Sequence, residues 1–279
     1  DIGMNKKRFL LCWGLITLAL LAGALLVPGS GGGEAIQPAM REAVLHSEGR
    51  ISLFGLKDVN PAFISAMAVS GALLLAAALI RLLVIPRFTL VPGRFQLLLE
   101  TLVGTFDGLA RGNSPHRNKF LGAYIFSAGV YIFVGTLFEL FGFQAVAVTG
   151  ASVALPAPLS DVNAAISLGV LSYLVILSGG IAGNGLRGVG MTLKDFSLPL
   201  SMSFRLFGAL LSGLLVTELV YHYIALSFVL PVIVGVLFTL LHALIQAYVL
   251  TMLTSLFYGE VSAPHPKKVS KKTSATQTA

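Results

Sequence analysis

The side chains able to do chemistry gather in the last third of the chain. Arg205 stands in the run FRLFG (204–208), inside one of the most apolar stretches. Its guanidinium stays protonated at any accessible pH. Holding it at bilayer depth costs from about 2.5 to more than 10 kcal/mol, depending on the reference state, so the default reading of such a charge is functional. At 100° per residue, Ser201 falls about 40° and Ser212 about 20° to one side of Arg205, whereas Glu218 and His222 fall on the far side, one turn apart. Thr239, His242 and Gln246, spaced three and four residues apart, form a single stripe on the next apolar run. A buried carboxylate or imidazole exchanges protons near neutral pH once its surroundings shift it, and arginine does not. Proton-passing groups on one face and a fixed positive charge on the other suit a path that must not short-circuit.

Other chemistries are excluded or weak. The chain has one cysteine, Cys12, and no Cys/His cluster of zinc-site spacing, so neither a metal site nor a cofactor is expected. GNGLRG (183–188) formally matches a dinucleotide fingerprint, but it follows a membrane-length run and belongs to no βαβ unit; it reads instead as a flexible loop. Ser212 precedes Gly213 without a G-x-S-x-G elbow or a convincingly placed histidine, and no Walker loop is present, so the chain is not expected to hydrolyse nucleotide by itself. The net charge of +7 comes from Lys and Arg beside apolar spans, without the aromatic interleaving of a nucleic-acid surface.

The elements that must position these residues are membrane helices. Of the residues, 56% are hydrophobic and 11% charged, with a mean hydropathy of +0.87, far from the soluble average of about 25% charged. Crossing a hydrocarbon core takes about 20 helical residues, and runs of that length lie near 9–27, 62–85, 120–141 and 164–182. Two longer runs, 198–223 and 225–258, meet at a polar corner around His222. The second would be about 50 Å long as a helix, against a core of about 30 Å, so it must tilt, bend or project. Gln96, Glu100, Asp107 and Arg111 share one stripe of 93–111, which predicts an amphipathic helix lying in the interface or docked on its neighbours. The expected fold is therefore all-α and integral to a membrane. It has five to six spans, two of them long C-terminal helices forming a hairpin, and one interfacial helix.

The division expected along the chain is an N-terminal apolar segment (1–35), an outside segment (36–60), a membrane domain (61–260) and a basic tail (261–279) attracted to anionic lipid. Segments 4–8, 81–119, 183–198 and 259–279 hold 15 of the 19 Lys and Arg. They alternate with acidic or neutral connections, which places both ends inside. Residues 6–27 also read as a signal peptide; retention of the span is expected, with cleavage as the alternative.

PLSMSFRLFGALLSG (199–213), followed by ALIQAYVLTMLTSLFY (243–258), closely resembles the membrane-embedded a subunit of F-type ATP synthases. VPGRFQLLLE (91–100) and DVN (161–163) resemble earlier segments of that family in the same order, so the resemblance covers roughly 60–258. It implies that Arg205 faces the ion-carrying carboxylates of a rotating ring of c subunits, with Gln246 near it on the neighbouring helix. It also implies two aqueous half-channels whose flow of H+, or alternatively Na+, drives the ring and ATP synthesis, and long helices that lie steeply tilted around the ring. The implied partners are that ring, the b subunits of the peripheral stalk, membrane lipid and, indirectly, the soluble F1 head. A bacterial inner membrane is expected, with a mitochondrial one as alternative. The chain departs from the family where Ala209 and Leu214 replace frequent polar residues and where Thr239 replaces a frequent His or Glu. Glu218 with His222 is then the candidate acid pair of the outside half-channel, with Glu139 and Asp161 as further candidates and His242 as the relocated imidazole. The rival from another class is a secondary transporter with a charged midplane site, which calls for an internal repeat and broken helices. No convincing repeat of the 199–258 pattern is visible earlier in the chain.

Overall fold

The computed structural model describes residues 51–264 apart from 54–55, 117, 147, 149, 151 and 223–229, together with Leu18. The expected 9–27 span, most of the 36–60 segment, the polar corner beyond His222 and the tail from residue 265 lie outside the described residues.

The first membrane helix, α1 (Pro61–Leu79), begins where the Asn60 side chain accepts the Ala62 N–H at 2.9 Å, with proline at the first helical position where its missing N–H does no harm. Its far end loosens into a π-helical turn (Ile80–Val84) and a 3₁₀ turn (Ile85–Arg87). Pro86 explains this, because it offers no N–H and its ring clashes with the carbonyl four residues back. α2 (Arg94–Asn113) follows. Its polar stripe is as expected: Gln96 donates to Glu100 at 2.7 Å and Arg111 pairs with Asp107 at 2.8 Å. The half of α2 that docks does so through Phe106, edge-on to Phe126, and through buried Ala110.

α3 (Lys119–Phe138) runs into a 3₁₀ turn (Glu139–Phe141) that ends at Gly142, whose φ of +60° suits glycine. α4 (Val162–Asn184), α5 (Leu186–Lys194), α6 (Ser197–His222) and α7 (Leu230–Ser262) complete the described helices. Among the described residues, four helical stretches are long and apolar enough to cross a membrane: Pro61–Arg87, Phe120–Phe141, Val162–Asn184 and Gly235–Ser262.

The described chain is mostly helical, consistent with the all-α expectation. Two short antiparallel hairpins accompany the helices among the described residues, β1 (Ile51–Leu53) with β2 (Leu56–Val59) just ahead of α1, and β3 (Gln144–Val146) with β4 (Ser152–Ala154) between α3 and α4. Such segments are too short to nucleate a helix, and pairing satisfies their backbone groups locally.

α7 is the central strut, packed on α3, α4, α6 and the second half of α2. The core runs along it: Leu121, Ile125 and Ile132 of α3, Ile176 of α4, Met202 and Leu206 of α6, and Leu250 and Tyr258 of α7 are all buried. Close backbone approaches set the registers. Gly179 lies against the Tyr258 ring and Gly183 against the Ser262 backbone, so α4 and α7 run parallel. Asn184 Nδ2 reinforces that end by donating to the carbonyls of Val261 and Ala263, at 2.8 and 2.9 Å. α5 then doubles back, with Gly188 on Gly180 and the Tyr173 hydroxyl donating to the Thr192 carbonyl, which brings Pro199 and Ser203 of α6 against Gly169.

GNGLRG is accordingly not a flexible loop. It is a helix–helix joint with only Gly185 at positive φ (+60°), and Gly183 and Gly188 are demanded by backbone contact, not by a phosphate.

Candidate ion-translocation site

α6 presents two unlike faces. Met202, Ser203 and Leu206 are buried against the bundle, with the Ser203 hydroxyl folded back onto the Pro199 carbonyl at 2.6 Å. Ser201, Phe204, Arg205, Gly208 and Ser212 are exposed, so the face expected to carry Ser201, Arg205 and Ser212 together does so. Nothing lies within 4 Å of where a Gly208 side chain would begin, which leaves open space one turn from Arg205. Among the described residues, Arg205 forms neither an ion pair nor a hydrogen bond. The Ser212 hydroxyl donates to its own helix, to the Ala209 carbonyl at 2.8 Å. An unpaired charge on an apolar helix face is costly unless something outside the chain meets it.

The register between α6 and α7 follows from two independent contacts. A Cβ on Gly213 would stand 3.7 Å from the Phe238 ring; stepping eight residues back along α6 and eight forward along antiparallel α7 brings Arg205 level with Gln246. Going through α4, Gly179 opposite Tyr258 makes Gly169 level with Tyr248, and Gly169 touches Ser203. Two residues further along each helix is again Arg205 beside Gln246. Gln246 faces into the bundle, however, at 7% exposure, while Leu241, Leu244 and Tyr248 take the exposed positions of α7 around it. Thr239, half-buried, falls level with Ser212.

His242 is half-buried against the Phe238 ring at 4.6 Å, with Nδ1 3.0 Å from the Phe238 carbonyl. A carbonyl only accepts, so Nδ1 carries the proton and a neutral ring keeps Nε2 as its acceptor. Gly129 packs on Thr251, and the turn at Glu139–Phe141 also packs on α7. Ten residues along that antiparallel pair, Glu139 comes level with Leu241, next to His242 in sequence. The Glu139 carboxyl is half-buried and makes no hydrogen bond or ion pair among the described residues. Helix α6 includes Glu218 and His222, whose side chains lie outside the described part.

Asp161 is differently placed. One of its oxygens caps α4 by accepting the Asn163 N–H at 2.7 Å, and the other accepts from Asn60 Nδ2 at 2.6 Å. The caps of α1 and α4 are thus tied to each other, a link between distant parts of the sequence that spacing could not reveal. Asn is as good a cap as Asp. Asp161→Asn is therefore expected to leave ion translocation intact, while Asp161→Ala lowers stability by about 1–2 kcal/mol. Measuring pumping and thermal inactivation of both variants separates the roles, and loss of pumping in Asp161→Asn would mean that the carboxylate itself moves protons.

Sequence reasoning also missed the polar knot at the opposite end. There Asn113 donates to Ser255 at 3.0 Å, Ser255 donates to the Leu109 carbonyl at 3.2 Å, and His116 Nε2 sits 2.9 Å from the Ser262 hydroxyl. Serines this ordinary give no sequence signal until the helices that bring them together are placed.

A protein-family model described as ATP synthase A chain matches residues 64–259, most of the described chain. The matched stretch spans α2 to α6 in full, Arg205 included, and all but the outer ends of α1 and α7. The chain therefore belongs to the ATP synthase A chain family, the non-catalytic, proton-translocating membrane subunit that works with the c-ring in the Fo sector of ATP synthase.

Proposed function

We propose that Arg205 is the fixed positive charge past which the ion-carrying carboxylates of the c-ring move, and that it separates two aqueous half-channels. The observation that carries this reading is an exposed guanidinium on a membrane helix with no ion-pair or hydrogen-bond partner among the described residues. A proton enters through the outside half-channel and neutralises a ring carboxylate. It then travels with the ring and leaves by the second half-channel on the inside. Two unit charges about 4 Å apart attract by about 4 kcal/mol at an effective dielectric of 20, enough to lower a carboxylate pKa by about 1–3 units and favour release. The same charge repels a proton crossing directly, and each leaked charge would dissipate about 2.3 kcal/mol per 100 mV.

Glu218 and His222 serve the outside half-channel from α6, and Glu139 and His242 from the facing elements. The level match between Glu139 and the His242 turn supports that assignment, as does the free acceptor at Nε2. Gln246, from inside the bundle, buttresses the α6–α7 pair at the level of Arg205. With 26 and 33 residues, α6 and α7 exceed the hydrocarbon thickness, which suits a steep tilt around a ring. The Lys- and Arg-rich end lies inside, as in a bacterial inner membrane, toward the b subunits and the F1 head.

The test is substitution of the two acids in the reconstituted complex. Glu139→Gln and Glu218→Gln should each slow ATP-driven pumping about tenfold or more, in keeping with loss of a proton-transfer group. Wild-type rates across the neutral pH range in both variants would place the half-channel elsewhere.

A further inference from the structure

Between Glu139 and Asp161 the chain carries no Asp, Glu, Lys, Arg or His. This stretch links α3 to α4 and contains the β3–β4 hairpin, none of which the translocation path uses. A connection in water normally carries polar or charged residues; this one exposes apolar side chains. Phe141 is 71% and Val146 69% exposed, and Phe143 and Val148 are also more than half exposed. Phe143 stacks on Phe138 at 5.1 Å and lies 5.8 Å from Phe141, a group of three rings at the very end of the apolar span Phe120–Phe141.

The base of the hairpin is firm. Leu155 N–H donates to the Phe143 carbonyl at 2.7 Å, Pro156 through Leu159 are buried, and Pro158 packs beside Gly135. The exposed residues are therefore held out by a fixed support.

We propose that this hairpin is an interfacial lipid anchor, with Phe141, Phe143, Val146 and Val148 resting in the headgroup layer of the leaflet opposite the Lys- and Arg-rich end. Continuity selects lipid as the occupant: the exposed rings stand at the end of the apolar span Phe120–Phe141, whose one acidic or basic side chain, Glu139, is half-buried. Aromatic side chains prefer that depth. The backbone sets the limit of insertion. Among the described residues β3 and β4 pair only with each other, and the outer edge of a two-stranded sheet needs water or headgroups as partners, so the hairpin cannot sink into hydrocarbon. With no charge present, its hold on the membrane is independent of salt and of headgroup charge.

Spin labels test this in the assembled complex in phosphatidylcholine vesicles. Cys12→Ser removes the chain's own thiol, and cysteines are then placed singly at Val146, Val148 and, as a control on the basic side, Lys194. The expected result is that collisions with dissolved oxygen exceed those with a water-soluble nickel chelate several-fold at Val146 and Val148, unchanged by salt, and that the order reverses at Lys194. Nickel-dominated collisions at both hairpin sites would put the hairpin in water. Labels reached by neither agent would mean that another protein covers it. Either result overturns the proposal, and neither bears on the role of Arg205.

Discussion

Replacing Arg205 with Ala is expected to abolish ATP-driven proton pumping by the reconstituted complex while leaving the complex assembled. The two halves of that expectation come from the same geometry. Arg205 is exposed and forms no ion pair or hydrogen bond among the described residues, so removing it breaks no internal contact and relieves an unpaired charge. Substitutions of that kind usually change stability by less than about 0.5 kcal/mol. Function, by contrast, would lose the positive charge proposed to attract the ring carboxylates and repel protons. Passive proton leak through membranes stripped of the soluble head should rise at the same time, because nothing then blocks the direct route. The readouts are pumping, leak and yield of complex; coupled pumping at the wild-type rate would sink the assignment, and loss of the complex would show that Arg205 is structural.

The second large effect is on assembly. A Cβ at Gly259 would run into the Asn113 carbonyl, and one at Gly188 into the Gly180 carbonyl; both obstacles are backbone and neither can rotate away. Gly259→Ala and Gly188→Ala should each destabilise the bundle by about 3 kcal/mol or more, since overpacking against fixed backbone forces helices apart. Recovery of the assembled complex in mild detergent should fall several-fold. Gly108→Ala is the control, as nothing stands within 4 Å of its Cβ. Helix propensity alone makes that substitution neutral to slightly stabilising. Equal recovery of all three variants would contradict the close approaches of α5 to α4 and of α7 to α2.

Much of this protein was legible without coordinates. Apolar length is a one-dimensional property that the bilayer reads directly, so the spans at 62–85, 120–141 and 164–182 agree with the observed helices to within a few residues. The Gln96–Glu100 and Asp107–Arg111 pairs were readable for the same reason, because neighbours on one helix are set by 3.6 residues per turn. Arg205 announced itself by cost. The β3–β4 hairpin was not legible, since an uncharged run of alternating small and branched residues looks much the same whether it pairs with itself or joins a helix.

The sequence by itself determined the class and the helical faces and singled out Arg205 as the candidate charge, because each of these depends on residue type and local repeat alone. The tertiary structure decided which residues meet. It made Gln246 level with Arg205 yet turned it inward, set Glu139 beside the His242 turn, tied Asp161 to Asn60 as a cap, and used the glycines of GNGLRG for helix contact. Those outcomes depend on how closely two backbones approach and on which residues stand opposite each other. Distance along the chain encodes neither.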